Sequence, residues 1–453
     1  MGIKYRFLLI SFFLITSCGG GGGGDGGTDV GNQNPRFLSF SISTTSANIG
    51  DRVVISWQSE NTQSCSASGD WTGLQDASGT WEFTPSSGGT YTFGLSCSGA
   101  GGSTETRYVT LAVSDSGGVG AEIYDIDQES YCKTPSNENS SNNYWLEEFN
   151  SPTLDDNTYT YQEGNGWYSS TAGQFIGGWG NNEIQYYTSC RVDQETGGEY
   201  SKDCDIANNT TENAFIENGV LKIQPIFWSP DNGETLFNDP YCLTSGNNCD
   251  TWSGTWEYTS ARIMTSSKKI FSPGIELTVC FKLPQGNGHW PAIWMMPQGF
   301  IEETTIWPND GEIDIMEHMI NLLDWEVQST VHFGNSSNDK SSLFGIKSVP
   351  SDVNFVDKFH SITMKWEQDA ISFYMDTQTS PFHSVSKFTD QAFASYTYPF
   401  NDSFYLIFNV AAGGNAGGSP DTSAYCHNIN CSNLSDPGKG QLQIDFIESK
   451  PIN

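Results

Sequence analysis

The stretch GEIDIMEHM, from Gly311 to Met319, sets three carboxylates (Glu312, Asp314 and Glu317) inside an apolar run. Acids held close together can perform acid–base chemistry, because burial and mutual repulsion keep one carboxyl protonated while hydrogen bonds keep another ionised. Hydrolysis of a glycosidic bond needs one carboxyl in each state. An exposed polar strand can carry the same residues, so the surrounding sequence has to separate the two interpretations.

The order of residues in this stretch predicts a bulged β-strand. Side chains alternate between the two faces of a strand, so Glu312 and Asp314 share one face while the isoleucines beside them point into a core. Glu317 breaks the alternation, and in a regular strand its charge would be buried among those isoleucines at high cost. A one-residue bulge at Met316 would return Glu317 to the polar face, and bulges are common beside active sites.

Aromatic residues near the acids are candidates for substrate binding. In HWPAIWMMP, alternation places Trp290 and Trp294 on one face and Ile293 on the other. Two tryptophans along a groove suit sugar rings, whose C–H faces pack against indole, although both residues could equally belong to a core. Trp307 and His332 are further candidates, while a lone histidine is often a structural hydrogen-bonding residue.

Composition favours an exported all-β protein. The chain has 453 residues, 48 of them glycine, with 13% aromatic residues and few segments of helical periodicity. Its formal charge of −33 would repel nucleic-acid phosphates and favours a neutral or cationic partner, although a highly solvated secreted protein would carry the same charge. Outside the N-terminus, no stretch approaches the roughly 20 apolar residues of a spanning helix.

The first 35 residues are predicted to export and tether the protein. Residues 1–18 combine two basic residues, an apolar run and the sequence ITSC, which resembles a bacterial lipoprotein signal that ends at a lipidated Cys18. Cleavage nearby with release of a soluble enzyme is the alternative. Residues 19–35 are glycine-rich and are expected to form a flexible tether. The resulting location is extracytoplasmic, with the membrane reached through the lipid alone.

Residues 36–115 form a first predicted domain, followed by a linker at 116–143. Short alternating runs separated by turn residues favour a small immunoglobulin-like sandwich, in which Cys65 and Cys97 could bridge the two sheets. The domain shows no group of acids, bases or nucleophiles, so a spacer or a glycan-binding module is expected. Export would allow the ten cysteines other than Cys18 to pair, and the sequence does not give the pairing.

Residues 144–453 form the second predicted domain, built from two packed antiparallel sheets that are curved enough to leave a groove. Here GEIDIMEHM, HWPAIWMMP, GWGNNEIQYYT, YTSARI, STVHF and IDFIES resemble glycoside hydrolase family 16, and its bacterial endo-1,3-β-glucanases, the laminarinases, most of all. The resemblance implies a β-jelly-roll with a concave cleft and a retaining mechanism. Residues before 114 lie outside it.

The resemblance also implies roles for particular residues. Glu312 matches the nucleophile, Glu317 the acid/base and Asp314 the acid that orients the nucleophile. Contacts with sugar are implied for a further set of side chains, which comprises Asn182, Arg262, Trp290, Trp294, Trp307 and His332. No cofactor is needed for catalysis, and a monomer acting on polysaccharide is expected.

A structural calcium is implied as well, with Glu148 and Asp445 in the positions of its ligands, although surface carboxylates would look the same. Where relatives often carry a tryptophan this chain reads GGNAGG, at 413–418, so one wall of the cleft is expected to differ. Two classes of alternative stay open. One is hydrolysis of another polysaccharide, such as mixed-linkage glucan, agar or carrageenan, and the other is a surface glycan-binding lipoprotein without catalysis.

Overall fold

The computed structural model describes residues 34–48, 51–85, 89–114, 124–136, 143–169, 173–188, 190–191, 200–201, 213–228, 237–238, 255–301, 304–428 and 430–452. Cys18, the signal segment and nearly all of the tether lie outside these residues. Strands dominate the described chain, which confirms the prediction of an all-β protein. Within the same ranges, no helix has the length and apolar character that a membrane crossing needs.

The N-terminal domain is a sandwich of two sheets. One sheet has the strand order β1-β3-β6, and the other has the order β2-β9-β7-β4-β5 with β8 paired to β7. Apolar side chains from both sheets, among them Val53, Ile55, Phe93 and Leu111, are buried between them. The strands are β1 (Arg36–Ile42), β2 (Ser46–Asn48), β3 (Val53–Glu60), β4 (Ser64–Gly69), β5 (Gly73–Gln75), β6 (Ser78–Phe83), β7 (Gly89–Gly99), β8 (Gly102–Ser103) and β9 (Arg107–Ser114).

The cysteine pair of this domain is joined differently from the prediction. Cys65 and Cys97 form a disulfide, but they face each other across β4 and β7, which are neighbouring strands of one sheet. The expectation that this disulfide bridges the two sheets is therefore wrong. The two sheets are instead held by their shared apolar core.

The C-terminal domain is a larger sandwich of two sheets, named here the front sheet and the back sheet. The front sheet has the order β11-β23-β33-β26-β27-β28-β29, with β24 also paired to β33. Its strands are β11 (Thr160–Tyr161), β23 (Arg262–Met264), β24 (Ile270–Phe271), β26 (His289–Pro297), β27 (Glu312–Glu317), β28 (Glu326–Ser336), β29 (Asp339–Ser348) and β33 (Phe404–Ala412).

The back sheet has the order β17-β18-β34-β25-β30-β31-β32, with β10 also paired to β34. Its strands are β10 (Trp145–Glu147), β17 (Ala214–Glu217), β18 (Val220–Ile223), β25 (Ile275–Lys282), β30 (His360–Glu367), β31 (Ala370–Met375), β32 (His383–Ser386) and β34 (Leu442–Pro451). The predicted hairpin with its turn near residues 367–369 is confirmed, because Glu367 pairs with Ala370.

Shorter elements complete the described fold. The remaining strands are β12 (Gly166–Ser169), β13 (Gln174–Gly177), β14 (Tyr186–Tyr187), β15 (Cys190–Arg191), β16 (Tyr200–Ser201), β19 (Ile226–Phe227), β20 (Phe237–Asn238), β21 (Thr255–Trp256) and β22 (Tyr258–Ser260). The α-helical turns are α1 (Gln298–Ile301) and α2 (Gly414–Gly417). The 3-10 turns are Gly178–Gly180, Ser351–Val353, Gln391–Ala394, Thr422–Ala424 and Pro437–Gly440.

The core lies between the front and back sheets, and strand alternation explains how it forms. On β33, Phe404, Leu406, Phe408 and Val410 join the main apolar core, while the residues between them face the opposite surface of the front sheet. Each such side chain that leaves water stabilises the fold by roughly 1.5–3 kcal/mol. The second surface of the front sheet is thereby left free to carry polar and aromatic groups.

Part of the predicted linker at 116–143 is packed against the C-terminal domain. Residues 124–136 lie along the back sheet, where the Tyr131 amide donates to the Phe359 carbonyl at 2.8 Å. A disulfide joins Cys132 to Cys280 of β25. The packed C-terminal unit therefore includes residues that precede the predicted boundary at 144.

Candidate active site

A bulge in β27 places the three acids of GEIDIMEHM on one face of the front sheet. Asp314 pairs with Thr330 and Glu317 with Gln328, so that Ile315 and Met316 together oppose the single residue Ser329 of β28. The Ser329 hydroxyl donates to the Ile315 carbonyl at 2.6 Å and holds the bulge. The predicted bulge is confirmed, although Met316 still pairs with β26 and the residue skipped there is Ile315.

The bulge also explains where the apolar residues of the stretch point. Ile313, Ile315 and Met316 are fully buried in the core between the sheets. Two successive core side chains are possible because the extra residue changes the alternation at that point. The acids therefore keep the opposite face, and Glu317 avoids the apolar environment that a regular strand would give it.

Glu312 and Asp314 form the first part of the acid cluster. The indole N–H of Trp307 donates to Glu312 Oε2, and the indole ring lies under Lys340 Nζ, 4.4 Å from the ring centre. Burial, and next the charge of Glu312, raise the pKa of Asp314 well above its usual range. A protonated Asp314 can donate a hydrogen bond to Glu312.

Glu317 lies in surroundings that favour its protonated form. Its side chain is 8% exposed, and its Oε1 accepts a hydrogen bond from Trp290 Nε1 at 3.0 Å. Burial, and next the neighbouring Asp314, raise the pKa of Glu317 to about 8, against the opposing effect of His332 and Trp290. Burial thus favours the protonated form at both Asp314 and Glu317, the two acids on either side of the bulge.

His332 lies directly across the strand pair from Glu312. Its Nε2 is 3.1 Å from Asp314 Oδ2, an oxygen that accepts no well-aligned hydrogen bond from the described residues. Glu312, Asp314 and His332 also bring three potential ligand atoms within 4.8 Å of one another. These are the same atoms that the acid cluster uses, so the grouping adds no separate metal site.

A stack of aromatic rings and one cation continues along the same face. The guanidinium of Arg262 on β23 lies 4.5 Å from the ring centre of Trp179 and 4.7 Å from that of Trp294. Arg262 is 7% exposed, so its planar group is held between the two indoles. The structure therefore brings Arg262 and Trp294 together, with Trp294 on β26, the neighbour of β27, and Arg262 on β23, three strands from β27 in the order of the front sheet.

Sequence reasoning did not identify the residues that fix this stack. Trp294 Nε1 donates to Asn409 Oδ1 at 2.7 Å, the Asn409 amide donates to the Tyr187 hydroxyl at 3.0 Å, and that hydroxyl donates to Glu183 Oε2 at 3.1 Å. Burial raises the pKa of Glu183, while Gln185 and Arg262 oppose that rise. The sequence signal that could have identified this network is the single glutamate in NNEIQYY, which stands among polar and aromatic residues.

Asn182 lies apart from the acids. It is exposed, adopts a left-handed backbone (φ 58°) and donates to Asn415 Oδ1 of α2 at 2.9 Å. The 413–418 segment, where the sequence reads GGNAGG, packs against the strand of Trp290: a Cβ on Gly417 would lie 3.5 Å from Trp290 Cβ. Asn182 therefore contacts the 413–418 segment, which adjoins Trp290.

Glu148 and Asp445 line one cavity of about 380 Å³, together with Asn150 and Asn218. Burial and the neighbouring Glu148 raise the pKa of Asp445. A Cβ on Gly219 would lie 3.7 Å from the Glu148 carbonyl oxygen, which shows how closely that carbonyl approaches the cavity wall. Two carboxylates, amide oxygens and a carbonyl form a donor set that suits a hard cation such as calcium.

A sandwich of two sheets, with a cluster of acids and two tryptophans around Arg262 on one sheet face, is an arrangement typical of glycoside hydrolases. Comparison with known sequences agrees: the profile described as "Glycosyl hydrolases family 16" matches residues 230–429. A glucan endo-1,3-beta-glucosidase of Cryptopygus antarcticus is 30% identical over 61% of this chain and 82% of its own length. The chain belongs to glycosyl hydrolase family 16.

Two further proteins show how much of each chain the similarity covers. Glucan endo-1,3-beta-glucosidase A1 of Niallia circulans is 30% identical over 62% of this chain, and the chain covers 35% of that longer protein. Among solved structures, the endo-beta-1,3-glucanase of Pyrococcus furiosus is 28% identical and covers 68% of this chain and 94% of its own, with a TM-score of 0.50. The chain thus spans about a third of the Niallia circulans protein and most of the Cryptopygus antarcticus and Pyrococcus furiosus proteins.

The raised pKa of Glu317 predicts how activity depends on pH. A carboxyl that must donate a proton is active below its pKa, so kcat/KM should stay high at neutral pH and fall as pH rises through about 8. The measurement is a pH profile of initial rates with folding checked by circular dichroism. Trp290→Phe removes a donor to Glu317 and should move this limb to higher pH. A limb that lies near pH 5 in the wild type would contradict the assignment.

Proposed function

We propose that the protein is a retaining endo-β-1,3-glucanase that acts as a monomer on laminarin-like polysaccharide. The observation that carries the proposal is the bulged β27, which sets Glu312, Asp314 and Glu317 on one face, where burial raises the pKa of Glu317. The activities named for the relatives support β-1,3-glucan as the substrate. The stacked face of Trp294 and Arg262 supports an extended sugar chain beside the acids.

In the first step of the proposed mechanism, Glu312 attacks the anomeric carbon. The glycosidic C–O bond breaks, and Glu317 gives its proton to the leaving oxygen. Asp314 and the Trp307 N–H keep the Glu312 carboxylate in place by hydrogen bonding. The product of this step is a covalent ester between Glu312 and the sugar, with Glu317 now ionised.

In the second step, Glu317 takes a proton from a water molecule. The water oxygen attacks the anomeric carbon, the ester bond to Glu312 breaks, and both carboxyls return to their starting states. Ionised Glu317 is destabilised by its burial, which favours its reprotonation. The raised pKa therefore serves the acid role first and the base role second.

We also propose that Glu148 and Asp445 hold a structural calcium. The supporting observation is a cavity lined by both carboxylates, in which burial, and next the repulsion from Glu148, raise the pKa of Asp445. Such a cation would offset that repulsion and tie β34 to the segment that follows β10. It would have no part in the chemical steps at β27.

We further propose that the protein is exported and anchored through a lipid on Cys18, with residues 19–35 as a tether. The basis is the sequence alone, since these residues lie outside the described structure. An extracytoplasmic location agrees with the disulfides Cys65–Cys97, Cys132–Cys280 and Cys426–Cys431, which form in oxidising compartments.

Turnover on defined polysaccharides tests the catalytic proposal. Three proteins are compared: the wild type, Glu312→Gln, and the matched control Glu367→Gln, which lies in the exposed back-sheet hairpin. Each is incubated with purified laminarin, mixed-linkage glucan, agarose and carrageenan. Reducing ends should form fastest from laminarin, and Glu312→Gln should lose roughly a thousand-fold or more of kcat with its fold intact. Full activity in Glu312→Gln would overturn the nucleophile assignment. Binding of laminarin without any new reducing ends would instead indicate a glycan-binding protein.

Metal removal tests the calcium proposal. Melting temperature is measured after chelation with EDTA and after adding back Ca²⁺ or Mg²⁺. Calcium at about 100 times its dissociation constant should stabilise the fold by roughly 2.7 kcal/mol and raise the melting temperature. Asp445→Asn should abolish this shift, while the exposed Glu105→Gln should keep it. An unchanged melting temperature with calcium in the wild type would refute the site.

Cell fractionation tests the anchor. The full-length wild type should incorporate labelled fatty acid and sediment with membranes, whereas Cys18→Ser should incorporate none because it lacks the thiol that carries the lipid. Ser17→Ala leaves that thiol in place and serves as the control. Equal incorporation of labelled fatty acid by Cys18→Ser and the wild type would exclude lipidation at this residue as the anchor.

A further inference from the structure

The N-terminal sandwich is docked on the C-terminal domain through a valine that its own core does not use. On β3, Val53 and Ile55 are buried inside the sandwich, whereas Val54 faces outward. Val54 is nevertheless only 6% exposed, because it packs with Leu322 and Ile346 of the C-terminal domain. This contact explains why DRVVISW has an apolar residue where alternation calls for a polar one.

A charged pair lies beside the apolar contact. Arg52 Nη1 is 3.3 Å from Glu326 Oε2, and its Nη2 is 2.6 Å from Glu82 Oε1 within the sandwich. Glu326 is 2% exposed, so Arg52 is the cation that offsets its burial. A buried carboxylate without this partner would be strongly destabilised.

The same contact covers the edge of the front sheet. β29 is the last strand in the front-sheet order, and β1 of the sandwich packs beside it. A Cβ on Gly345 of β29 would lie 2.4 Å from His383 Cβ of its own domain and 2.9 Å from the Ser43 carbonyl oxygen, so that carbonyl of the sandwich approaches β29 closely. An exposed sheet edge invites pairing with other chains, and this packing covers it.

Glu326 connects the docked sandwich to residues 318–325, named here the 318–325 loop, which directly follows Glu317. The Leu323 amide donates to Glu326 Oε2 at 3.2 Å, and the ring Nδ1 of His318 lies 3.0 Å from the Glu326 carbonyl oxygen. Leu322 of the loop supplies one side of the Val54 contact. The loop is therefore held at its C-terminal end by residues of the N-terminal domain.

The other end of the loop reaches the substrate cleft. The His318 amide donates to the Pro291 carbonyl at 3.2 Å, next to Trp290. The Ile320 amide donates to the Ala416 carbonyl at 2.9 Å, and a Cβ on Gly418 would lie 3.1 Å from the Ile320 side chain. Through this loop, the docking contact is connected to the 413–418 segment that adjoins Trp290 and Asn182.

We infer that the N-terminal sandwich is a positioning module for the substrate cleft rather than a spacer. Docked at Val54 and Arg52, it fixes the 318–325 loop, and the loop in turn fixes the 413–418 wall of the cleft. Sugar units bound beside Trp290 would meet a preformed wall, which lowers the cost of binding. The inference rests on the proposed function for its kinetic consequence, while the coupling itself is a property of the free protein.

Two variants of the full chain test the coupling without substrate. Val54→Asp places a carboxylate in the interface, and Arg52→Ala removes the partner of Glu326. Both should speed amide hydrogen exchange in peptides that cover 318–326 by about five-fold or more. The matched controls are Leu74→Asp, at an outward position that is 80% exposed, and Arg107→Ala, which removes the same charge from the same domain. Unchanged exchange in both interface variants would overturn the inference.

Kinetics on laminarin then separate a positioning role from a general loss of fold. The interface variants should raise KM by about five-fold or more with a smaller change in kcat, because the acids on β27 are untouched. Arg52→Lys keeps the cation and should recover most of the loss. Equal losses in Leu74→Asp and Val54→Asp would show that any damage to the sandwich has this effect, and would contradict the inference. If the wild type cleaves no polysaccharide, the proposed function fails, and hydrogen exchange still decides the coupling.

Discussion

Crowding of carboxyl groups on one largely buried strand is the constraint on which the rest of the site depends. The three carboxyls Glu312, Asp314 and Glu317 are too close together and too buried to be ionised at the same time. Each negative charge raises the free energy of ionising the next carboxyl. The bulge at Ile315 and Met316 creates this crowding by returning Glu317 to the face of the other two. The indole N–H of Trp307 donates to Glu312, while at Glu317 the effect of burial on the pKa outweighs the opposing N–H of Trp290.

The scaffold around the acids is arranged to hold that pattern. The apolar side chains of β27 and β33 anchor the front sheet from behind, so the polar face has little freedom to adjust. Along the sheet, the network from Glu183 through Tyr187 and Asn409 fixes the Trp294 ring. Asp445, far along the chain, belongs to a separate acidic cavity with a structural role in our proposal.

Much of this arrangement could be predicted from the sequence because strands have a period of two. Alternation correctly separated Trp290 and Trp294 from Ile293, and the break in that alternation at Glu317 correctly predicted a bulge. The two-sheet architecture and the 367–369 turn followed from the same rule. Alternation predicts which face of a strand a side chain occupies, but it does not predict which other strand lies beside it. Contacts between strands that are distant in sequence therefore could not be predicted in this way.

The errors and omissions have the same origin. Cys65 and Cys97 were expected to bridge two sheets, and only the pairing of β4 with β7 shows that they lie in one. Predicting the role of Val54 would have required the position of the second domain. Predicting the network around Glu183 would have required the register of β23 against β33.

The stereochemistry of the first product tests the central claim most directly. Proton NMR of the anomeric region, recorded within the first minutes of laminarin hydrolysis, distinguishes the two anomers before they interconvert. A nucleophile and an acid/base on one bulged strand predict retention, with the β-anomer of the new reducing end appearing first. Initial release of the α-anomer would mean that water attacks the sugar directly, and would contradict the assignment of Glu312 as nucleophile.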